Sequence, residues 1–192
     1  MTSQKKYPAW KFWVPMLMQT AIIIAVPLQS AVIYTTGREV TLKTAPVDPY
    51  DLLRGYSQTL RYEISDTETL SKLPGGKDIF KDNFDAKSPS VYVVLKAPAA
   101  DAAPWEPIRV SRDRPRSLPD NQVALKGSHR GWRVVYGLET YYMPEKQRNQ
   151  INQEIRDVQR DESQQFLVDI KVNDRGKSVP VSLWVGDRKY QF

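Results

Sequence analysis

The chain contains no cysteine and a single histidine among its 192 residues. Without cysteine there can be no disulfide, no thiolate nucleophile and no zinc site with cysteine ligands. One histidine is also too few for a zinc site built on two histidines. Since 41% of the residues are hydrophobic, a disordered or collagen-like chain is excluded as well. We expect a folded protein with no cofactor and no metal.

A clustered basic surface is lacking too. The net charge is +6, but three of the basic residues are lysines that precede position 35, where there is no acidic residue. Residues 35–192 therefore carry a net charge of only +3, with acidic and basic residues interleaved. A nucleic-acid-binding domain usually shows a concentrated basic stripe. Nucleic acid is therefore not an expected partner.

The charged residues are absent from one long apolar stretch near the start of the chain. Residues 12–37 contain no charge, and the core of this run, residues 12–34, is predominantly apolar. As a helix, 23 residues extend about 34 Å at 1.5 Å per residue, enough for a hydrocarbon core of about 30 Å. Trp10, Trp13 and Tyr34 lie near the two ends, where aromatic rings favour the membrane interface. The pattern predicts a transmembrane anchor.

Three lysines before this run predict its orientation. Lys5, Lys6 and Lys11 precede it and are expected to remain in the cytoplasm. The domain that follows is then exported, to the periplasm or the thylakoid lumen. The expected organisation is a cytoplasmic N-terminus at 1–11, a single-pass transmembrane anchor at 12–34 and an exported domain at 35–192.

Two other interpretations of the apolar run fit its sequence less well. A cleavable signal peptide has an apolar region of about 7–15 residues, which is shorter than this run. The cleavage sites are also poor, because cleavage after Ser30 or Ala25 places Leu28 or Ile23 at the upstream small-residue position. A buried helix of a soluble protein would need protein on every side. An uncleaved anchor in the lipid bilayer is favoured.

Three residues of the span suggest contact with an integral membrane protein. Gln19 and Gln29 are polar groups at membrane depth, where an amide can hydrogen-bond to a partner helix. Pro27 removes one helix hydrogen bond and can kink the helix. An alternative for Gln29 is that it merely approaches the far interface.

The remaining sequence favours β-strands. Alternating or β-branched segments are separated by turns rich in proline and glycine. One amphipathic helix is predicted at 144–162, with Ile151, Ile155 and Val158 on one face. These features indicate an α+β domain on a mainly antiparallel sheet with one longer surface helix, and they leave open a barrel-like form of the sheet. The predicted strands are 38–44, 57–65, 90–97, 105–111, 121–127, 131–137, 166–173, 179–185 and 187–192.

The segment PVDPYDLLRGYSQTLRYEIS resembles the signature of the GDYXXLXY family of membrane-anchored bacterial proteins. Gly55, Leu60 and Tyr62 match the G, the L and the last Y of the signature. Tyr56 replaces its Asp and Ser57 replaces its first Tyr. Any role that depends on that carboxylate or that first Tyr is therefore in doubt.

Further blocks extend the resemblance over nearly the whole chain, and the sequence is most similar to versions from oxygenic phototrophic bacteria. The blocks are YVVLKAP, IRVSRDRP, VALKG, YGLETYYMPE and VPVSLWVGDRKY. The resemblance implies a single-span anchored, exported domain of unknown activity, with a multi-span membrane protein as a candidate partner. The positions assigned to the family pattern are Arg54, Gly55, Leu60, Tyr62, Glu139, Tyr142, Pro144 and Glu145.

The short motifs in the sequence give only weak evidence of catalysis or ligand binding. The GKS triplet at 176–178 lacks the first glycine of a phosphate-binding loop and predicts a hairpin turn. His129 lies in a polar, Gly-flanked segment and is expected to be an exposed loop residue. Glu139 and Asp169 cannot be paired as acid and base from the sequence.

A hydrolase with a Ser/Lys site is the alternative function, because a serine can be activated by a lysine of lowered pKa. Its candidates are Ser57, Ser128 and Ser178 with Lys126 or Lys177. The leading prediction is instead an interaction protein without catalysis, whose exported domain binds an integral membrane complex and supports its assembly or stability.

Overall fold

The fold is seen in a computed structural model of the chain. It describes residues 10–44, 57–59, 61–80, 90–100, 103–142, 166–186 and 188–191.

The predicted anchor is a single helix, α1, which spans Trp10–Thr36 and includes Pro15 and Pro27. It is long and apolar enough to cross a membrane. Its side chains are almost all exposed, as expected for a helix that has no protein around it. The helix ends at Gly37, whose amide donates to the carbonyl of Ile33 at 2.8 Å. A Cβ atom at Gly37 would collide with that carbonyl, so glycine permits the sharp change from helix to strand.

Strand β1, Arg38–Lys43, follows directly and forms the edge of a four-stranded antiparallel sheet. We call it the anchor sheet. It runs in the order β1-β8-β9-β10, and Arg38 of β1 lies opposite Val172 of β8. The GKS segment falls at the turn between β8 and β9, which confirms the predicted hairpin. The other strands are β8, Phe166–Val172, β9, Ser178–Val185, and β10, Arg188–Gln191.

A second four-stranded sheet has the order β4-β3-β5-β6 and is also antiparallel. We call it the second sheet. Its β3 is paired on both sides and fully buried at four positions, as its β-branched sequence predicts for a central strand. The strands are β3, Ser90–Lys96, β4, Glu106–Ser111, β5, Gln122–Arg130, and β6, Arg133–Val135.

The segment 57–65 is only partly a strand. Strand β2, Ser57–Thr59, pairs with β7, Thr140–Tyr142, but Glu63–Ser65 forms a 3-10 helix. The strand prediction was wrong there because Tyr62 and Ile64 reach the core from an isolated bridge and a tight turn, rather than from one strand face. Two short helices follow, α2, Thr67–Ser71, and α3, Gly76–Phe80. Asp66 caps α2 by accepting from the amide of Thr69 at 3.0 Å.

Both sheets contribute to one hydrophobic core, in which Leu42 and Ile170 of the anchor sheet join Val93 and Leu125 of the second sheet. In the described part of the chain the strands form open sheets and not a closed barrel, so the α+β class is confirmed and the barrel-like form is not. The predicted helix at 144–162 lies outside the described residues.

Candidate functional site

The last turns of α1 pack against the folded domain. Lys177, in the β8–β9 turn, donates from Nζ to Oε1 of Gln29 at 3.1 Å. The ammonium of Lys171 lies 5.5 Å from the ring centre of Tyr34. Ile33 is buried, unlike its apolar neighbours earlier in the helix. The domain is therefore not joined to the helix only by a flexible linker, but contacts the helix over at least two turns.

The strand register explains this contact. Because β8 runs antiparallel to β1, it returns toward the helix and its last residue, Val172, lies opposite Arg38. The turn that follows, residues 173–177, must then extend past the start of β1 and lie beside α1. We call this turn the β8–β9 hairpin turn. From Gly37 back to Gln29 is eight helical residues, or about 12 Å.

A buried carboxylate links all four strands of the anchor sheet. Asp169 of β8 lies directly opposite Thr41 of β1 and Ser182 of β9. Its Oδ1 accepts from the Thr41 hydroxyl at 2.9 Å. Its Oδ2 accepts from the Ser182 hydroxyl at 2.7 Å, from Trp184 Nε1 at 2.7 Å and from Lys189 Nζ at 3.0 Å. We call these five residues the Asp169 network.

The carboxylate of this network is stabilised in its charged form. Burial alone would raise the pKa of Asp169, but hydrogen bonds from Trp184, Ser182, Lys189 and Thr41 outweigh it and hold that pKa below its ordinary value. A carboxylate that is charged at neutral pH and saturated with donors is a poor general acid. Its geometry fits a structural role across the sheet. The sequence signal for such a site is an acidic residue in the middle of an apolar strand.

The β5–β6 turn presents an exposed aromatic residue. Trp132 is 60% exposed, and every other large exposed apolar side chain in the described residues lies in α1. The guanidinium groups of Arg61 and Arg133 lie 5.2 and 5.5 Å from its ring centre. Its carbonyl accepts from the Thr67 hydroxyl at 2.8 Å, which fixes the turn to the start of α2. We call Trp132 with these two arginines and the exposed Arg130 the Trp132 tip.

The segment around Tyr62 is joined to the segment before β7. The Tyr62 hydroxyl donates to the carbonyl of Leu138 at 2.8 Å, and the ring is fully buried. Glu139 Oε1 accepts from the amide of Tyr136 at 2.6 Å, and the Tyr136 hydroxyl donates to the carbonyl of Ile64. Burial, with a smaller contribution from Glu139, raises the pKa of Tyr136 well above its ordinary value. These contacts are internal and hold the two segments together.

Comparison with protein families adds one finding. Residues 19–183 match the model of the GDYXXLXY protein family. The chain belongs to the GDYXXLXY family. No curated protein and no solved structure matches it significantly.

The GDYXXLXY positions can now be placed, as far as the structure describes them. Tyr62 and Glu139 contribute to the internal contacts above, and Tyr142 pairs through its backbone with Ser57. Arg54, Gly55, Leu60, Pro144 and Glu145 lie outside the described residues.

Of the residues predicted to contact a membrane partner, Gln19 and Pro27 are exposed on α1. Gln29 is exposed too, but its amide oxygen is bonded to Lys177 of the same chain. The assignment of these three residues to a partner stays a prediction.

The histidine prediction was wrong. His129 is buried on β5, where its ring lies edge-on against Phe80 and Nε2 lies 2.7 Å from the Gly131 carbonyl. The reason is that β5 continues to Arg130, so the alternation that buries Val123 also buries His129.

The described side chains do not assemble a Ser/Lys pair. Ser178 Oγ is buried without a hydrogen-bond partner among the described groups, while the neighbouring Lys177 donates to Gln29 instead. Lys126 and Ser128 lie two residues apart on β5, not in a turn after it. The side chain of Ser57 is not described. A search of the described residues also finds no group of three His, Cys, Asp or Glu side chains that could hold a metal ion. The hydrolase alternative gains no support from this geometry.

Proposed function

We propose that this GDYXXLXY protein is a single-pass membrane protein whose exported domain binds an integral membrane protein and supports the assembly or stability of its complex. The length and apolar surface of α1 support the anchor. Lys5, Lys6 and Lys11, which precede the uncharged run, support a cytoplasmic N-terminus, with the domain in the periplasm or thylakoid lumen.

The observation that carries the binding proposal is the Trp132 tip. Tryptophan and arginine are the residues most enriched at the energetic centres of protein interfaces. An exposed Trp132 with three arginines around it fits an apolar pocket rimmed by carboxylates on an exported loop. Because its turn is fixed to α2, the side chain is presented with little loss of conformational entropy on binding.

The helix supplies a second contact with the same partner. The amide of Gln19 lies on an exposed face in the first half of α1, where lipid offers it no hydrogen bond. A polar group on a neighbouring transmembrane helix would satisfy it, at about 1 kcal/mol. Pro27 leaves the carbonyl of Ile23 without its helical donor, which is a second acceptor for such a helix.

Because the helix anchors the domain in the membrane, weak contacts with the partner are sufficient for binding. Held at the membrane by α1, the Trp132 tip meets a partner in the same membrane at a high effective concentration. The packing of Ile33 and Gln29 against the domain also restricts the directions in which the tip can point.

The test is affinity purification of the full chain in mild detergent, with identification of the proteins that co-elute. For the wild type we expect the same integral membrane protein to co-elute in every preparation. The amount of this partner should fall at least tenfold for Trp132→Ala and return toward the wild-type amount for Trp132→Phe. Lys72→Ala, an exposed change at the residue that follows α2, is the matched control and should leave recovery of the partner unchanged. Repeated purification of the protein alone would contradict the proposal.

The same material separates the two functions. A hydrolase would lose function on replacement of Ser57, Lys126, Ser128 or Lys177 by alanine while fold and partner recovery persist. The binding proposal expects these four variants to retain function. Orientation is checked by protease treatment of sealed vesicles with the cytoplasmic side outward, in which the domain should be protected.

A further inference from the structure

The β8–β9 hairpin turn is placed where the head groups of a membrane would lie. Because Lys177 of the folded domain donates a hydrogen bond to Gln29, Gln29 lies beside that domain and not within the hydrocarbon core of the bilayer. The uncharged helix between Lys11 and Gln29 is then residues 12–28, which extend about 26 Å. That length is close to the thickness of a hydrocarbon core, about 30 Å. The outer boundary of the bilayer therefore falls near Gln29, at the level of the turn.

The residues at this level are mainly basic. Lys177 and Arg175 belong to the turn, Lys171 lies at the end of β8 against Tyr34, and Asp174 is the one acidic residue among residues 171–177. Arg175 and Asp174 are exposed. The group carries a net charge of +2 beside a membrane surface.

The turn is held rigidly in this position from two sides. Asn173 Oδ1 accepts from the amides of Arg175 and Lys177, both at 3.0 Å, which fixes the turn internally. The carbonyl of Gly176 accepts from the amide of Lys126 on β5 at 2.8 Å, which attaches the turn to the second sheet. Lys126 is therefore a further basic residue directly beside the turn.

We propose that the β8–β9 hairpin turn, with Lys171, Lys126, Arg175 and Lys177, binds the anionic head groups of lipids in the outer leaflet. The ligand chemistry is a phosphate or sulfate carried by a membrane lipid. Lys and Arg supply charge-assisted hydrogen bonds to such groups, and each basic residue near an anionic surface contributes about fivefold to binding. The consequence is a fixed orientation of the domain on the membrane. This inference rests on the proposed membrane anchor, and not on the proposed protein partner.

The first measurement locates the turn. Because the chain has no cysteine, Asp174→Cys introduces a unique site for a spin label in the full chain reconstituted into vesicles. Collision with lipid-soluble oxygen and a water-soluble nickel complex reports the depth of the label. We expect head-group depth at position 174. The control is Glu63→Cys, since Glu63 pairs with Lys43 at the other end of β1, about 20 Å further from the helix. A label at 174 as exposed to the aqueous reagent as the label at 63 would overturn the inference.

The second measurement tests the lipid chemistry. The full chain is purified from vesicles of phosphatidylcholine mixed with phosphatidylglycerol, and the lipids it retains are quantified by mass spectrometry. We expect phosphatidylglycerol to be enriched on the wild type and the enrichment to fall at least fivefold in the double variant Arg175→Gln, Lys177→Gln. Inorganic phosphate in the buffer should not compete if the source is a lipid.

Two controls make the result specific. Gln29→Ala removes the hydrogen bond of Lys177 but keeps its charge, and it should keep the enrichment. Arg114→Gln with Arg116→Gln removes the same charge from an exposed loop and should also keep it. Two results would overturn this inference without affecting the proposed function. One is an equal loss of phosphatidylglycerol enrichment in the loop variant, and the other is no preference for phosphatidylglycerol in the wild type. Release of the wild-type chain from membranes by alkaline carbonate would instead overturn the anchor and with it the proposed function.

Discussion

The two sheets are stabilised in different ways and expose different chemistry. The anchor sheet continues directly from α1 and has a polar network on its outer face, which reaches from β1 to β10 through Asp169. The second sheet has its central strand β3 buried at four positions. It also carries the exposed Trp132 at the tip of a turn. The first sheet is thus fixed to α1, and the second presents the one exposed aromatic side chain of the described domain.

This difference separates residues that hold the domain from residues that can recognise a partner. The Asp169 network and Tyr62 have their polar atoms satisfied inside the chain, so their loss should reduce stability. Trp132 is exposed, so its loss should reduce binding and leave stability unchanged. The free energy of unfolding, measured for the full chain in mild detergent by urea denaturation, tests that division.

The largest effect is expected at Asp169. Replacement by alanine leaves the Ser182 hydroxyl, the Trp184 indole and the Lys189 ammonium without their acceptor on the sheet. Removing one member of a buried charged pair costs about 3–5 kcal/mol, although Lys189 is partly exposed and will recover some hydration. We expect Asp169→Ala to lower the free energy of unfolding by about 3 kcal/mol. Asp113→Ala, in an exposed loop, is the control and should change it by less than about 0.5 kcal/mol.

The pH dependence of this effect has a definite sign. The pKa of Asp169 is lower in the folded protein than in the unfolded chain, so the folded state binds fewer protons on this group. Its contribution is fully present above the unfolded value of about 4 and is lost as the pH falls through the lowered folded pKa. The difference in stability between wild type and Asp169→Ala should therefore shrink on acidification below about pH 4. A difference that grows there would contradict the assignment.

A smaller effect is expected where the two sheets meet. Gly176 has a positive φ of 79°, and a Cβ atom there would lie 2.9 Å from the carbonyl oxygen of Ala124. Gly176→Ala therefore combines backbone strain with a backbone clash, and we expect a loss of about 2 kcal/mol. Gly131→Ala is the matched control, because Gly131 also has a positive φ but open space around it. A smaller loss, near 1 kcal/mol, is expected there.

Much of the strand content was predictable because β-branched and alternating segments bury one face. The centre of β3 and the β8–β9 hairpin followed from local sequence alone. The burial of His129 did not, since it depends on β5 extending three residues beyond the predicted strand. Nor did the Asp169 network, because Asp169 and Lys189 meet only when both the β8–β9 and the β9–β10 pairings are known. Local pattern predicts elements, whereas sites made of paired strands require the register.

Tyr62 tests whether a family position is structural. Tyr62→Phe removes the hydrogen bond to Leu138 and leaves that carbonyl without its donor in the core. We expect a loss of about 1–1.5 kcal/mol with partner recovery unchanged. Tyr92→Phe is the control, since Tyr92 is only half-buried and no hydrogen bond of its hydroxyl is seen within the described residues. A stable Tyr62→Phe protein that no longer recovers its partner would move this position from the core to the binding site.

The smallest effect on stability is expected at Trp132. This residue gives the clearest test of the division between residues that stabilise the domain and residues that bind a partner. Its side chain is mostly exposed, and the hydrogen bonds that fix the turn use its backbone carbonyl, which Trp132→Ala retains. The two cation–π contacts, at exposed sites, are each worth about 0.5–1 kcal/mol, partly offset by freedom regained by Arg61 and Arg133. We expect the free energy of unfolding to change by less than about 1 kcal/mol, while partner recovery falls at least tenfold. If the free energy of unfolding and the recovery of the partner both fall, Trp132 belongs with Asp169 among the residues that stabilise the domain. The partner must then contact another surface.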